Sequence, residues 1–438
     1  MATRQKNVVL ISFDDATAPW RYKTAFNEPL QTPNLDRICA QSTVFHSAYC
    51  QAPICGPSRA SFMSAKTPHQ LGIFGNSEEL FDKITPQEVW SYKLKEAGFF
   101  CSSGGKVHHR YKPLRRRFHN VIYSDNQKRF RDDMHFPDVS EKKRYGGNRG
   151  GWASVDPKDD DLFYDANSGN SAIEFFEGYD RDAPFYREVG FYSPHGPHYT
   201  PARFKDMYDV DNFKPPEDWA NGFDFNAFSD ELNAENEQIK KGDMQWWRES
   251  VRNYFSAFSH GDYHLGRVWD ALQASPHAKD TVVVILSDHG FHLGNRNLYR
   301  KTTLYEQVAS VPMVIYDPDN PTGLDIHDPV ALLDVGPTVL DIAGLRPLED
   351  CVGQSLLPYL NGHCDPDRAV PTFRHGNAAI RKGPYRIIRY EDGTTQMYDL
   401  RDDFWQLNSL GPDHPDYAEM YAALVECSAQ YGFEVPAA

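Results

Sequence analysis

The sequence predicts an α/β fold: one large, mostly parallel sheet sandwiched by helices, followed by a small α+β subdomain. Apolar runs alternate with helical stretches, the pattern of a parallel sheet covered on both faces. Four of those runs, "NVVLISF", "GFFCSSGG", "PFYREVGFYS" and "TVVVILS", pass within two residues into Asp, Lys or His. Late in the chain the pattern changes to short antiparallel strands and one terminal helix, which divides it into a catalytic unit over 1–370 and a C-terminal subdomain over 371–438.

Taken in order, the first run ends in Asp14-Asp15. The stretch "QAPICGPSRASFMSA" then starts a helix. Pro57 suits an early helical position, where its missing N–H costs nothing and its φ is preset. Cys55 is thereby expected just before the helix N-terminus, where free amides and the macrodipole favour an anion. With Arg59 nearby, a thiol there is expected to have a depressed pKa; the plainer alternative is a buried structural cysteine. In "TPQEVWSYKLKEAG", Thr85 caps, Pro86 takes the first position, Glu88 closes a capping box and Gly98 lies past the end. The second run leads to Lys106-Val107-His108, the third to Pro194-His195 and the fourth to Asp288-His289. Residues 246–274 carry an apolar stripe at helical spacing, including Tyr254, Phe258, Leu265 and Leu272. Two polar stretches, 110–165 and 211–245, read as excursions over the strand ends. Asp392-Gly393 marks a hairpin turn in the last part, and "PDYAEMYAALVECSAQYG" a terminal helix.

Composition narrows the function. A chain of 438 residues has room for one large domain and a smaller one. Its net charge of −15 argues against a nucleic-acid or membrane-surface partner, while leaving room for a basic pocket. The run Val282–Leu286 is too short to span a bilayer. "MATRQKNVVLISFDD" lacks the apolar core and cleavage site of a signal peptide, so a cytoplasmic location is expected. Seven scattered cysteines, odd in number, do not suggest a disulfide framework.

Ligands of open α/β sheets bind outside the carboxyl ends of the strands, and four strands deliver reactive side chains to that edge. Adjacent carboxylates repel unless a cation or basic group joins them. Asp14, Asp15 and Asp288 together suit a hard divalent cation, Ca²⁺ first, with Mg²⁺ or Mn²⁺ as alternatives. His289 is a fourth ligand or a donor to a bound anion. No cysteine pair has the spacing of a closed zinc site. Lys106, His108, His195 and Lys301 add positive groups around the cation, which describes a pocket for a tetrahedral oxyanion. Any one of these residues alone reads as well as a turn, a cap or a packed histidine.

Together they resemble a known family. "CGPSR" resembles the C-x-P-S-R signature of the formylglycine-dependent sulfatases, within the alkaline-phosphatase-like superfamily, and "SFDD", "GKVHH", "SPHGPH", "SDHGFHLG" and "RKTTLYE" stand in that family's order. The closing "MYDLRDDFWQLNSL" resembles its C-terminal segment, and "GKVHH" with the Asp-His pair looks most like the iduronate-2-sulfatase branch. The resemblance implies an alkaline-phosphatase-like fold, a small sulfated substrate such as a carbohydrate or another small alcohol, and a maturation enzyme that oxidises Cys55 to Cα-formylglycine. It implies metal binding by Asp14, Asp15, Asp288 and His289. Arg59 would hold the hydrated aldehyde and Asp288 would take the attacking hydroxyl's proton. Lys106, His195 and Lys301 would bind sulfate oxygens, with His195 or Lys301 protonating the leaving alcohol and His108 acting in release. His198 stands where relatives often carry an aromatic residue, so it touches substrate or packs. Alternatives are a phosphonate monoester or phosphodiester hydrolase using the same aldehyde, a choline-sulfatase-like enzyme with an aromatic cage, and a non-catalytic anion binder, against which the filled catalytic positions argue. Arg115, Arg116 and Arg117 would meet a carboxylate on an anionic sugar, or form a solvated charge run.

Overall fold

Strand β1 (Asn7–Asp14) is buried along its whole length, which is possible only at the centre of a sheet covered on both sides. The structure, a computed structural model, describes residues 5–109, 114–126, 136–148, 151–232 and 243–436. Strands β2 (Thr43–Phe45), β3 (Phe100–Gly105), β4 (Phe185–Pro194), β5 (Thr281–Ser287), β6 (Met313–Tyr316) and β7 (Leu324–Ile326) complete a seven-stranded sheet in the order β7-β2-β6-β5-β1-β4-β3. The pairs β3/β4, β4/β1 and β1/β5 are parallel, while β6 runs antiparallel to β5 and β2. The four runs that lead to reactive side chains are thus four adjacent parallel strands, and their carboxyl ends share one edge.

Helices α1 (Cys55–Ser64), α2 (Trp90–Glu96), α3 (Tyr164–Gly178), α4 (Met244–Ala274) and α5 (Val335–Ile342) cover the two faces. Alternation along β1 divides the core. Val9, Ile11 and Phe13 pack with α3 and α4, through residues such as Phe176, Phe258 and Leu265. Val8 and Leu10 pack on the other side with Phe62, Trp90, Leu94 and Val339 of α1, α2 and α5. The Thr85–Glu88 capping box forms, yet it closes only a single 3₁₀ turn, Pro86–Glu88. Val89 is extended, at φ −90° and ψ 141°, and α2 starts afresh at Trp90. Packing overrides the local signal here. Val89 and Trp90 are both fully buried, and Trp90 Nε1 donates to Phe62 O at 2.7 Å. Helix α4 begins two residues before the expected position, capped by Asp243, whose side chain accepts from Trp246 N at 2.9 Å.

Strands β8 (Ala369–Arg374), β9 (Asn377–Lys382), β10 (Tyr385–Arg389) and β11 (Thr395–Asp399) form a separate antiparallel sheet. The turn at Asp392-Gly393 joins β10 to β11, with Gly393 at φ 90°. Helix α6 (Tyr417–Gln430) seals this sheet, packing Met420 and Leu424 on Val370, Ile380 and Met397. Of the two polar excursions, residues 110–113, 127–135, 149–150 and 233–242 lie outside the described residues. Arg115, Arg116 and Arg117 are exposed at the start of a short helix, as in a solvated charge run. Among the described residues, no helix is long and apolar enough to cross a membrane.

One buried pair on α4 makes the fold acid-sensitive. His260 and His264 lie one turn apart and are buried, with their Nε2 atoms 3.1 Å from each other. Burial first, then Arg203 and Lys205, push His260 down to about 3. Burial, His260 and the arginines Arg267 and Arg203 hold His264 well below its usual value. An imidazole kept neutral in the fold is protonated first in the unfolded chain, so stability falls as pH drops below about 6.5. At pH 5 the cost from His260 alone is about 2 kcal/mol. Urea unfolding should therefore show a lower midpoint at pH 5 than at pH 7, with a smaller difference in His260→Phe; an identical pH dependence in both proteins would contradict it.

Candidate active site

The site begins with the ends of β1 and β5. Asp14 closes β1, and Asp15 turns the chain in the left-handed region, φ 66°, which an aspartate tolerates better than most residues. Asp288 and His289 follow β5 directly. Asp288 Oδ1 accepts from the amides of Asp15 at 3.1 Å and His289 at 3.0 Å, so one carboxylate staples the two strand ends together. Tyr254 of α4 supports the same turn, donating from Oη to Asp15 O at 2.7 Å.

Lys106 reaches the site through close contact between β3 and β4. A Cβ on Gly105, at φ 85°, would collide with the Gly190 carbonyl, and one on Gly190 would collide with the Lys106 backbone. Two glycines facing each other therefore bring Lys106 N within 3.1 Å of Gly190 O and seat its side chain, nearly all buried, on Asp14 Oδ2. Lys301 arrives from the other side, donating to Asp15 Oδ1 at 2.5 Å and to Cys55 Sγ at 2.9 Å.

Cys55 is the first residue of α1 rather than the residue before it; the cap is Ile54, in an extended conformation. The thiol is 1% exposed. Its pKa is not depressed as expected: burial pushes it up, and Asp14 and Asp288 reinforce that against Lys301 and Lys106. The sequence supplies the helix terminus and the arginine, but not the three carboxylates that the fold sets beside the sulfur. Cys55 Sγ lies 3.3 Å from His289 Nε2 and 3.8 Å from Asp15 Oδ1, and His289 Nδ1 donates to the Gly290 carbonyl at 2.9 Å. Asn76, which no spacing singled out, accepts from Gly56 N at 2.8 Å and anchors the start of α1.

Arg59 lies under all of this, 1% exposed. Its Nε donates to Asp288 Oδ2 at 2.9 Å, Nη1 to Lys106 O at 2.6 Å and Val107 O at 2.9 Å, and Nη2 to Phe13 O at 3.0 Å. Charges set the titration of the carboxylates. Burial alone would raise Asp14, but Lys106, His195, Arg59 and Lys301 hold it well below the usual range. Asp15 is also raised by burial, yet its basic neighbours, Lys301 the permanent cation among them, bring it to about 2.

Four residues offer ligand atoms within 4.8 Å of one another: Asp14, Asp15, Cys55 and His289. Two carboxylates and an imidazole nitrogen are donors that fit a divalent cation. Asp288 borders the group, with Oδ2 3.8 Å from His289 Nε2, but Arg59 and two amides already occupy its oxygens. His195 points Nε2 toward Asp15 Oδ2 at 3.9 Å, and its Nδ1 faces Gly196 O at 2.6 Å. Burial first, with help from Lys301, brings its pKa down to about 3.

Two expected residues stand apart from this hydrogen-bonded set. His108 Nε2 is 2.9 Å from Tyr123 Oη, and Tyr123 donates to Glu188 Oε2 at 2.6 Å. That chain makes Nε2 the protonated nitrogen of His108 and leaves the lone pair on Nδ1. His198 packs edge-on against Tyr254, whose hydroxyl holds Asp15 O, so it borders the site through that ring. Tyr123, Glu188, Tyr254 and Asn76 are isolated in sequence, and no motif marks them.

The chain is similar to known proteins. A family model described as sulfatase matches residues 6–345, and one described as N-sulphoglucosamine sulphohydrolase, C-terminal, matches residues 294–430. The chain is 30% identical over 431 residues to a sulfatase of Formosa agariphila, covering 91% of this chain and 81% of that protein. It is 27% identical over 453 residues to the choline-sulfatase of Rhizobium meliloti, covering 94% and 83%. It is 26% identical over 485 residues to the iduronate 2-sulfatase of Mus musculus, covering 96% and 83%. Two solved structures share the fold. One is a protein in complex with its substrate D-glucosamine-2-N,6-O-disulfate, with a TM-score of 0.75, 19% identity and 98% of both chains covered. The other is the phosphonate monoester hydrolase of Agrobacterium radiobacter, with a TM-score of 0.77, 18% identity, and 98% and 96% covered.

The buried guanidinium sets the strength of the framework. Arg59→Met would leave Asp288 and three carbonyls without their donor, a loss of about 3–5 kcal/mol for an uncompensated buried charge. Guanidinium unfolding should show a correspondingly lower midpoint at neutral pH, and a variant within about 1 kcal/mol of the parent would show that Arg59 does not hold the site together.

Proposed function

This chain belongs to the sulfatase family and hydrolyses sulfate esters; on that premise we propose that it cleaves a sulfated carbohydrate or another small alkyl or aryl sulfate, using formylglycine derived from Cys55 and one divalent cation. The observation that carries the reading is the position of Cys55 Sγ, fully buried and within 3.8 Å of Lys301 Nζ, His289 Nε2 and Asp15 Oδ1 at once. A sulfur kept protonated by burial is a poor nucleophile, whereas a precursor needs only the right place. Oxidised to Cα-formylglycine, the residue would supply a hydrated aldehyde, with one hydroxyl for attack on sulfur and a second for release of sulfate. Asp14, Asp15 and His289, with Asp288 beside them, would hold the cation, which supplies positive charge to a sulfate oxygen; Ca²⁺ suits the oxygen-rich set, with Mg²⁺ or Mn²⁺ as alternatives.

The chain's own side chains divide the remaining work. Arg59 fixes Asp288 at the end of β5 through Oδ2, whose second lone pair takes the proton of the attacking hydroxyl. Lys106, Lys301 and His195 bind the sulfate oxygens and offset their charge. The Lys301 ammonium, or His195 once protonated, gives the proton to the leaving alcohol. For His108 to serve as the base in release, it must use Nδ1, because Tyr123 occupies Nε2. His198 supports the Asp15 turn through Tyr254 rather than by touching the sulfate.

Two measurements test this. Protein matured in the presence of a formylglycine-generating enzyme should carry an aldehyde at Cys55, read by mass spectrometry and by reaction with a hydrazine, and should hydrolyse aryl sulfates or sulfated sugars. Full activity from protein carrying only the thiol would exclude the mechanism. A large preference for a phosphonate monoester, or for choline sulfate, would replace the substrate assignment.

The cation is tested separately. Asp15→Ala should lose bound Ca²⁺, measured by elemental analysis after dialysis, and should lower turnover by at least a hundredfold; stoichiometric metal retained in the variant would remove Asp15 from the ligand set.

A further inference from the structure

One cavity adjoins the reacting groups from the side of the C-terminal sheet. It has a volume of about 220 Å³ and is lined by Pro53, Ile54, Phe74, Thr302, Arg374 and His375, among others. Ile54 immediately precedes Cys55, and Thr302 immediately follows Lys301. Thr302 N donates to Pro53 O at 3.0 Å, so the two segments that carry the reacting side chains are tied together along the wall of this cavity.

The opposite wall comes from the turn between β8 and β9. His375 adopts a left-handed backbone, φ 49°, and its carbonyl faces His69 Nε2 at 3.1 Å. Its ring stacks on Phe74 with centroids 5.2 Å apart and an interplanar angle of 25°. Glu78 is the nearby carboxylate, and its Oε2 accepts from Phe74 N at 2.7 Å and Gly75 N at 2.8 Å, which holds the Phe74 loop in place. Asn76 ties the same loop to Gly56 of α1. The walls are therefore fixed by the protein's own hydrogen bonds.

The volume is below the roughly 300–1,000 Å³ of sites for drug-sized ligands, which suits a single ring rather than an extended chain. In a chain of net charge −15, the polar side chains on this wall include an arginine and a histidine, set beside an aromatic face. A guanidinium forks onto carboxylate or sulfate oxygens, and a ring nitrogen adds a third donor. Ile54 and Thr302 set this cavity one residue from both Cys55 and Lys301, so an alcohol leaving an ester at Cys55 on that side would enter it.

We propose that this cavity seats the leaving alcohol and that Arg374 and His375 are specificity-determining residues, selecting alcohols that carry a second anionic group, carboxylate or sulfate, close to the scissile sulfate. This rests on the sulfate-ester reading of the Cys55 site, so the test has one arm that depends on hydrolysis and one that does not. In the first, kcat/KM is measured for the matched pair 3-carboxyphenyl sulfate and phenyl sulfate. The parent protein should prefer the carboxylated ester, and Arg374→Ala should reduce that preference by about tenfold to a hundredfold, mainly through KM. Arg374→Lys, which keeps the charge but not the fork, should fall between them. In the second arm, calorimetry follows binding of D-glucuronate to the full chain, with at least a tenfold weaker Kd in Arg374→Ala and in His375→Ala. Absence of all sulfate hydrolysis would overturn the reading of the Cys55 site, and the glucuronate titration would still decide the cavity. An unchanged preference ratio, or glucuronate bound equally by parent and variants or by neither, would overturn the proposal.

Discussion

The guanidinium of Arg59 is the interaction on which the rest of the site depends. It reaches the last residues of β1 through Phe13 O and Ser12 Oγ, the residues after β3 through the carbonyls of Lys106 and Val107, and the residue after β5 through Asp288. Strand ends are where backbone carbonyls lose their ladder partners, and buried carbonyls without donors are costly. One rigid, always-charged fork supplies those donors and at the same time neutralises a buried carboxylate. Lysine could not span the same acceptors, and a neutral residue would leave Asp288 uncompensated. Binding groups at the ends of three strands of one sheet thus come to a common point because a single side chain requires it.

Charge balance follows from the same arrangement. Asp14, Asp15 and Asp288 face Arg59, Lys106 and Lys301, three negative groups against three positive ones, with His195 held neutral. In a buried site such pairs interact strongly, and each needs its partner. Under the proposed function, a divalent cation adds two positive charges to a balanced cluster. The site then favours a tetrahedral anion without any side chain having to change its protonation to receive it.

Much of this was legible in the sequence, and the reason is topological. In a parallel sheet, the residue after each buried strand falls at the same edge, so "FDD", "GK", "PH" and "SDH" at four strand ends are enough to imply a common site. The local signals were less secure. The Thr85–Glu88 capping box formed, but burial of Val89 and Trp90 broke the helix behind it. The reactivity expected of Cys55 failed for a related reason: helix terminus and Arg59 are sequence-local, whereas Asp14, Asp15 and Asp288 reach the sulfur only through the fold. The roles of Tyr254, Tyr123, Glu188 and Asn76 were not legible because each reaches its partner across the fold from another element.

The C-terminal sheet is also part of the active-site framework, through a residue the motifs do not mark. Arg296 lies in the loop that ends at Lys301, with its own backbone in the left-handed region at φ 55°. Its guanidinium sits 4.0 Å from the centroid of the Tyr305 ring and pairs with Asp224 of the second excursion. Tyr398 of β11 bonds to both, donating to Asp224 Oδ2 at 2.9 Å and accepting from Arg296 Nη2 at 3.0 Å. Gln396 of the same strand donates to Asp224 Oδ2 at 2.6 Å. A strained backbone persists only where its surroundings over-determine it, and here three separate segments do so. The loop that presents Lys301 to Asp15 and Cys55 is therefore anchored at one end by β11 and, through Thr302 and Pro53, at the other by the start of α1. The two sheets have separate cores, yet the lysine that completes the site is positioned by both.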